Sequence, residues 1–436
     1  MHKRLYEFIE QHNILFQNQF GFRKNNSTTY ALLQITERIK ETIDNHKFGC
    51  GIFIDLRKAF DTVNHKILLL KLEHYGIRGT ALKWFESYLT NRKQYVYLNG
   101  EKSELNGISC GVPQGSVLGP LLFLIYINDL PNISKFFEFF LFADDTHIYY
   151  EDESLTKLEK TINRELKQLY KWLIINRLSL NIEKTNFVVF HPYNKQLANK
   201  ITLKIQKKAI PEKEAVKYLG IMIDCGLTWQ NHINLLSNKI SRSIGLLYKI
   251  KSCVNKHILR MLYYSLIYSH LNYAIEAWGS ADTTHLNRLL ILQKRIVRLI
   301  TINDRRQDNY AFLPSDPMFF QLDILKVQDI FCSRVAKFVF NCLCKNCPDN
   351  FHLWFRLTSN IHRHNTRSKF VSIENEILTR TLFIPTSRTT HYGLKLTKVI
   401  GPKIWNAIPP QLRVDNITLQ AFTKELRSTL LSNYNH

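Results

Sequence analysis

Two adjacent aspartates in the first half of the chain are the residues best suited to chemistry. Asp144 and Asp145 lie between two runs of β-prone apolar and aromatic residues, within residues 139–150. Each run has about the length of a strand, so the pattern predicts a β-hairpin whose tight connection carries both carboxylates. Like charges so close repel, and a divalent cation such as Mg²⁺ removes that cost. Because aspartate is also common in surface turns, the pair alone leaves a structural turn open.

A third carboxylate upstream favours a catalytic interpretation. Asp55 ends the apolar run 51–54, which is typical of a buried strand. If that strand pairs beside the hairpin, Asp55 joins Asp144 and Asp145. Three carboxylates can then hold two metal ions roughly 3.5–4 Å apart, the arrangement that serves in-line phosphoryl transfer.

The elements that must position these carboxylates alternate between strands and helices up to about residue 225, which predicts an α/β or α+β fold with a covered sheet. Asn99-Gly100 predicts a tight hairpin turn. The Gly- and Pro-rich segment 109–120 predicts a loop that enters a buried helix, with Gln114 as its amide able to contact a polar edge. Apolar periodicity predicts helices over residues 29–46, 155–175, 232–251, 257–269, 285–300 and 318–345.

The charge of the chain suits a polyanionic partner. The 436 residues carry a net charge of +23, from 59 basic and 36 acidic side chains. Residues 226–436 hold 28 of the basic and 12 of the acidic ones, so the half without the aspartates is the more basic. Nucleic acid is the leading candidate, and a well-solvated basic surface is the alternative.

The remaining patterns exclude several classes of protein. The eight cysteines form no regular disulfide framework. Cys344, Cys347 and His352 have knuckle-like spacing, but no fourth ligand follows at the right distance, so no zinc is expected. The first ten residues predict an amphipathic helix and no signal peptide, and no apolar run is long enough to cross a bilayer. We therefore expect a soluble, reduced, intracellular protein.

An ordered set of motifs resembles the reverse transcriptases, and within them the non-LTR retrotransposon polymerases of the jockey type. The resemblance covers some two hundred residues. The motifs are residues 19–23, 53–56 with 59–61, 111–116, 142–145, 181–185 and 218–221. The resemblance implies an α+β right-hand polymerase: partial fingers and a palm with an antiparallel sheet (1–225), a helical thumb (226–305) and a basic C-terminal region (306–436), which includes the family-like Asn365–Ser368.

The resemblance also implies roles for residues at matching positions. Asp55, Asp144 and Asp145 match the metal-binding, catalytic aspartates, with Mg²⁺ or Mn²⁺ as the cofactor. The other matches are Lys184 near the pyrophosphate, Arg23 on the triphosphate, Phe60 as a gate beneath the sugar, Gln114 and Gly115 in the loop that contacts template and nucleotide, and Leu219 and Gly220 in the primer grip.

The implied function is RNA-directed DNA synthesis for a non-LTR retrotransposon. Its partners are an RNA template, a DNA primer or target DNA, and deoxynucleoside triphosphates, in a ribonucleoprotein of nucleus and cytoplasm. The resemblance implies an endonuclease and further fingers strands before the first residue here, so an N-terminally truncated polypeptide is expected. Two alternatives stay open: a catalytically weak or inactive RNA-binding remnant, and an RNA-directed RNA polymerase, which Phe60 disfavours.

Overall fold

The computed structural model describes residues 1–195, 197, 199–302, 314–361, 380–414 and 417–434. The chain forms two compact units. The first comprises Met1–Ala31 and His46–Val216, and the second comprises Leu32–Asn45 and Lys217–His436. Helix α2 (Thr28–Asp44) thus begins in the first unit and contributes most of its length to the second.

The first unit combines helices with short antiparallel sheets. Its helices are α1 (His2–Gln11), α3 (His65–His74), α4 (Gly79–Leu89), α5 (Leu118–Ile127) and α6 (Leu155–Ile175), with 3-10 turns at Ala59–Thr62 and Leu130–Ile133. Its strands are β1 (Phe48–Ile54), β2 (Lys93–Gln94), β3 (Tyr97–Leu98), β4 (Glu101–Lys102), β5 (Asn106–Gly107), β6 (Glu138–Phe142), β7 (Asp145–Asp152), β8 (Asn186–Phe190), β9 (Lys204–Ile205) and β10 (Lys208–Ala209). Strand β11 (Ala215–Tyr218) crosses into the second unit.

A four-stranded antiparallel sheet in the order β6-β7-β1-β8 is the frame of this unit. The apolar run before Asp55 forms the central strand β1, because almost every residue of β1 is buried. Helix α6 packs on β1 and β7 through its apolar stripe, which includes Leu158, Ile162 and Leu166. The predicted hairpins are confirmed: β6 and β7 flank the adjacent aspartates, and Asn99 and Gly100 turn between β3 and β4 with positive φ.

The second unit is mainly helical. It contains β12 (Ile221–Asp224), α7 (Gln230–Ile250), α8 (Lys256–Tyr263), a π-helical turn (Tyr264–Tyr268), α9 (Ser269–Asn272), α10 (Ile275–Trp278), α11 (Thr283–Thr301), α12 (Asp316–Gln321), α13 (Val327–Leu343), α14 (Thr358–Ile361), α15 (Thr397–Ala407) and α16 (Leu419–Ser432). Shorter 3-10 turns lie at Asp349–Phe351, Gly393–Lys395 and Pro410–Leu412. The helices predicted over 232–251 and 285–300 are confirmed as α7 and α11.

The single helix predicted over residues 318–345 is wrong. Helix α12 ends at Gln321 and α13 begins at Val327. Asp323 adopts a left-handed φ of +53°, and the amides of Asp323 and Ile324 bond back to the carbonyls of Phe320 (2.9 Å) and Phe319 (2.9 Å). These bonds satisfy the last carbonyls of α12 and close the helix. Apolar periodicity continues through this break, so periodicity alone could not locate it.

Three further sequence predictions concern the cysteines, membrane spans and the division into regions. The eight cysteines are free thiols. Within the described ranges, no helix is long and apolar enough to span a membrane. The segment Asn365–Ser368 lies outside the described residues, and the division of the chain into palm, thumb and C-terminal regions stays a prediction.

Candidate active site

The adjacent aspartates occupy a two-residue turn at the edge of the sheet. Phe142 pairs with Asp145 as the last rung between β6 and β7, so Ala143 and Asp144 form the turn itself. Ala143 has a φ of +56°, a left-handed conformation that costs an alanine about 1–2 kcal/mol. A strained turn persists only where its surroundings fix it.

A buried glutamine fixes this turn. Gln19 is 2% exposed, and its side-chain oxygen accepts hydrogen bonds from the amides of Ala143 (3.1 Å) and Gly21 (2.9 Å). The backbone on either side of Gln19 pairs with Leu141, through Phe20 N–H to Leu141 O (2.8 Å) and Leu141 N–H to Asn18 O (2.9 Å). Gln19 belongs to one of the sequence motifs, but nothing in its local pattern predicts this role.

Gly21 allows this close approach. A Cβ at Gly21 would lie 2.4 Å from the amide nitrogen of Ala143, so any other residue would displace the turn. The sequence signal was a glycine between two aromatic residues. Its contact with the turn bridges more than a hundred residues, which local patterns do not reveal.

Asp55 comes directly after β1 and reaches the same edge. Ile54 pairs with Thr146 on β7, which sets Asp55 beside the start of β7, where Asp145 stands. The Asp55 carbonyl accepts the amide of Asn181 (2.8 Å), and its amide donates to the Thr185 hydroxyl (3.3 Å). Thr185 is fully buried and was also given no role by the sequence, whereas the adjacent Lys184 side chain is exposed.

The three aspartates carry uncompensated negative charge. Burial, followed by the charges of Asp144 and Asp55, raises the pKa of Asp145 to about 6. Within the part of the chain that the structure describes, none of the three forms an ion pair with a lysine or arginine, and no group of three or more His, Cys, Asp or Glu side chains is arranged, as it stands, to hold a metal ion. Oxygen ligands held close together at one edge are the donor set that Mg²⁺ takes, and the repulsion among them is what a divalent cation relieves.

Phe60 is partly packed and partly exposed. It is half-buried in the 3-10 turn after Asp55, stacks on Phe123 with ring centroids 4.3 Å apart, and contacts the edge of Phe22 at 6.4 Å. Its carbonyl accepts the amide of Val112 (2.9 Å). The ring is therefore held in place on one side while the other keeps some exposure.

The Gly- and Pro-rich loop is bound to the same turn. Gln114 donates to the Asp61 carboxylate (2.8 Å), and the amide of Gly111 donates to the carbonyl of Val63 (2.7 Å). Gly111 has a φ of +90°, and a Cβ there would lie 2.7 Å from the Asp61 carbonyl. Gly115 is exposed, with open space around its Cα. Gln114 and Gly115 thus occupy an exposed loop anchored beside Phe60.

Three further predicted residues have contacts of their own in the structure. Arg23 donates both arms of its guanidinium to Glu10 (3.2 Å each) and a third bond to the carbonyl of Phe16 (3.2 Å), so in this state it holds α1. Leu219 and Gly220 form the β11–β12 turn in the second unit, where the Tyr273 hydroxyl donates to Leu219 O (2.7 Å).

The family model of the reverse transcriptases, described as "Reverse transcriptase (RNA-dependent DNA polymerase)", matches residues 1–223. The chain belongs to this family. The α+β polymerase fold predicted from the motifs is thereby confirmed, and so is the resemblance to retrotransposon polymerases of the jockey type.

Individual relatives agree with this assignment. The chain is 28% identical over 305 residues to the probable RNA-directed DNA polymerase from transposon X-element of Drosophila melanogaster. This match covers 68% of this chain and 33% of that protein. It is 29% identical over 293 residues to the RNA-directed DNA polymerase from mobile element jockey of the same fly, which covers 65% of this chain and 32% of that protein. The chain spans about one third of the length of these relatives.

Solved structures similar to this chain include telomerases. The telomerase from Candida albicans, in complex with a fragment of telomeric RNA, is 11% identical with a TM-score of 0.39 and covers 74% of this chain and 55% of that one. The apo telomerase from Candida tropicalis is 10% identical with a TM-score of 0.39 and covers 83% of this chain and 60% of that one.

Proposed function

We propose that this reverse transcriptase-family chain carries the RNA-directed DNA polymerase site of a non-LTR retrotransposon, which copies the element's RNA into DNA. The observation that supports it most is the sheet edge where Asp55, Asp144 and Asp145 converge without counter-ions. Its substrates would be an RNA template, a DNA primer and deoxynucleoside triphosphates. The 3′-hydroxyl of the primer would attack the α-phosphorus, forming a P–O bond and releasing pyrophosphate.

Asp55, Asp144 and Asp145 would hold divalent metal ions, Mg²⁺ or Mn²⁺. When bound, such ions activate the attacking hydroxyl and stabilise the leaving pyrophosphate. Gln19 and Thr185 would keep the carboxylates in place through the backbone bonds described above, because positioning is a large part of phosphoryl-transfer catalysis. Lys184, exposed next to Thr185, would bring its charge to the pyrophosphate.

The nucleotide would be selected by the surfaces beside this edge. Phe60, held by Phe123, would occupy the volume that a ribose 2′-hydroxyl needs. Gln114 and Gly115 would contact template and nucleotide, and the turn at Leu219 and Gly220 would contact the primer. Arg23 would reach the triphosphate only by exchanging Glu10 for phosphate, which is chemically favourable because guanidinium binds both groups in the same bidentate manner.

A second candidate function is an RNA-binding remnant with weak or absent turnover. The engagement of Arg23 by Glu10 favours it, since the predicted triphosphate contact is occupied. The basic second half would still bind nucleic acid with strong salt dependence.

Primer extension separates the two. The full chain would be incubated with an RNA template annealed to a DNA primer, Mg²⁺, and either deoxy- or ribonucleotides. Deoxynucleotide-dependent extension supports the polymerase. Retention of the template–primer without extension, under conditions in which a jockey-type polymerase extends it, supports the remnant. Preferential use of ribonucleotides contradicts the choice of DNA as product.

A further inference from the structure

A cavity of about 750 Å³ opens in the first unit, and the aspartates are not among the residues that line it. Its walls come from the end of α6, the segment that follows it, the β9–β10 hairpin and the residue two positions after Asp55. None of Asp55, Asp144, Asp145, Lys184 or Gln114 lines it. Its volume lies within the range of small-molecule and cofactor sites.

Three cations on separate chain segments converge on this cavity. Arg57 follows β1, Arg177 follows α6, and Lys208 lies on β10. Within the described residues none of the three forms an ion pair with a carboxylate, and Glu183 is the single acidic side chain among the lining residues. Convergent cations without counter-ions favour a ligand that carries several negative charges.

Arg177 occupies a backbone position that is normally unfavourable for arginine. It follows the C-cap of α6 with a φ of +52°, where glycine is preferred. The amides of Arg177 and Leu178 bond to the carbonyls of Ile174 (3.0 Å) and Leu173 (2.9 Å), which satisfies the end of the helix through the backbone alone. The cap therefore needs no arginine side chain, and Arg177 is among the residues that line the cavity.

Other residues that line the cavity are apolar or aromatic. Tyr170 and Ile174 lie in the last turns of α6, and Pro211 follows β10. A ring can stack on a tyrosine or pack on such aliphatic surfaces. Cations together with aromatic and apolar side chains in one cavity match a molecule that carries both a flat ring and phosphates.

We propose that this cavity binds a nucleoside polyphosphate at a second site, with its phosphates on Arg57, Arg177 and Lys208 and its base against Tyr170 and the apolar side chains. Glu183, Ser179 and Gln206 also line the cavity and supply acceptors and donors for the sugar hydroxyls. The site depends on protein cations, so it does not need the divalent ions that the aspartates require. It can therefore be measured while the aspartates are without metal.

The test is calorimetric titration of ATP into the full chain in EDTA at low salt. Without metal, the aspartates repel a triphosphate, so heat of binding reports the cavity. Arg177→Gly combined with Lys208→Ser should weaken ATP binding by about tenfold or more, the scale of losing charge-assisted bonds. Arg177→Gly suits the left-handed backbone, so the variant should melt no lower than the parent chain.

Lys207→Ser is the matched control, because Lys207 lies in the same hairpin but does not line the cavity. The ATP affinity of this variant should stay within about twofold of the parent value. A twofold change is about 0.4 kcal/mol, which is less than the loss of one hydrogen bond. Adenosine and inorganic pyrophosphate should each bind more weakly than ATP if both groups of side chains are used.

An unchanged ATP affinity in the double variant, or an equal loss in Lys207→Ser, would overturn the proposal. So would the absence of ATP binding together with binding of a six-nucleotide RNA that the double variant loses, which would assign the cavity to a nucleic-acid strand.

Discussion

Two groups of acidic side chains, one in each unit, differ in whether neighbouring residues bind them. In the first unit, Asp55, Asp144 and Asp145 meet at a sheet edge with no cation opposite them among the described residues. In the second unit, helix α2 carries Glu37, Glu41 and Asp44 on its polar face, and each has a specific partner. The contrast separates carboxylates without a protein partner among the described residues, which we propose bind metal, from carboxylates whose hydrogen bonds stabilise the fold.

We call Glu37, Lys40 and Asp44, with the residues they bind in 388–398 and at Ser280, the α2 latch. Glu37 accepts the amides of Thr397 (2.8 Å) and Lys398 (2.9 Å) at the start of α15. Asp44 accepts the amide and hydroxyl of Thr389 (2.7 Å each).

Lys40 completes the latch by donating to Ser280 (3.0 Å) and to the Lys395 carbonyl (3.0 Å). Burial lowers the pKa of Lys40 to about 8, although Glu37 opposes that shift. Burial also raises the pKa of Glu37, against the effect of Lys40 and the two amides. These charges are tolerated because their hydrogen bonds are made.

The largest expected effect is on catalysis. Asp144→Asn should reduce deoxynucleotide incorporation at least a thousandfold, about 4 kcal/mol of transition-state stabilisation, because it removes a charge that would hold metal. Its melting temperature should not fall, since no partner loses a bond. Asp152→Asn, at the other end of β7, is the control and should retain activity. Incorporation by Asp144→Asn near the parent rate contradicts the metal-binding role.

The second effect is on stability and concerns the α2 latch. Glu37→Ala should lower the free energy of unfolding by about 3 kcal/mol, because the amides of Thr397 and Lys398 lose their acceptor and buried Lys40 loses the nearby negative charge. Glu41→Ala is the matched control: its ion pair with Lys398 is partly exposed and should contribute about 0.5 kcal/mol. Denaturant titration measures both. If Glu37→Ala and Glu41→Ala lowered the free energy of unfolding equally, the buried bonds of Glu37 would contribute no more to stability than an exposed ion pair.

The sequence revealed one of these groups and not the other, for physical reasons. Strand patterns of period two and a tight turn are local, so Asp55, Asp144 and Asp145 could be placed at strand ends directly. The contacts of Gln19 with Ala143 and of Glu37 with Thr397 depend on tertiary packing between distant segments. Apolar periodicity predicted α2, but it says nothing about which polar residues on its other face become buried.

Phe60 combines a packing role with a place next to the candidate site, because it stacks on Phe123 and lies in the turn after Asp55. Phe60→Val should raise the use of ribonucleotides relative to deoxynucleotides by about tenfold to a hundredfold, roughly 1.4–2.7 kcal/mol of lost discrimination. Competing single-nucleotide incorporation measures the ratio. Phe123→Leu, which loosens the packing without opening the sugar position, is the control. A ratio unchanged in Phe60→Val makes Phe60 a packing residue alone.

The smallest effect has the opposite sign to that at Glu37. Because the pKa of Asp145 is raised to about 6 from an ordinary 3.8, the folded chain loses stability as the pH rises from about 4 to 6, and the full loss is present above that. Asp145→Asn should therefore raise the free energy of unfolding, without metal and at pH 7.5, by about 1 kcal/mol. The full shift would correspond to roughly 3 kcal/mol, but the side chain is more than a third exposed and water screens it.

The pH dependence identifies the cause. Well below pH 3.8 the parent carboxyl is protonated in both the folded and the unfolded state, so the gain from Asn should vanish; it should grow as the pH rises from about 4 to 6 and stay constant above that. Chemical unfolding in EDTA between about pH 3 and 8 measures it, with Asp152→Asn as the same change at the far end of the strand. A gain at Asp145 that does not depend on pH would mean that packing, and not charge, distinguishes the aspartates from the α2 latch.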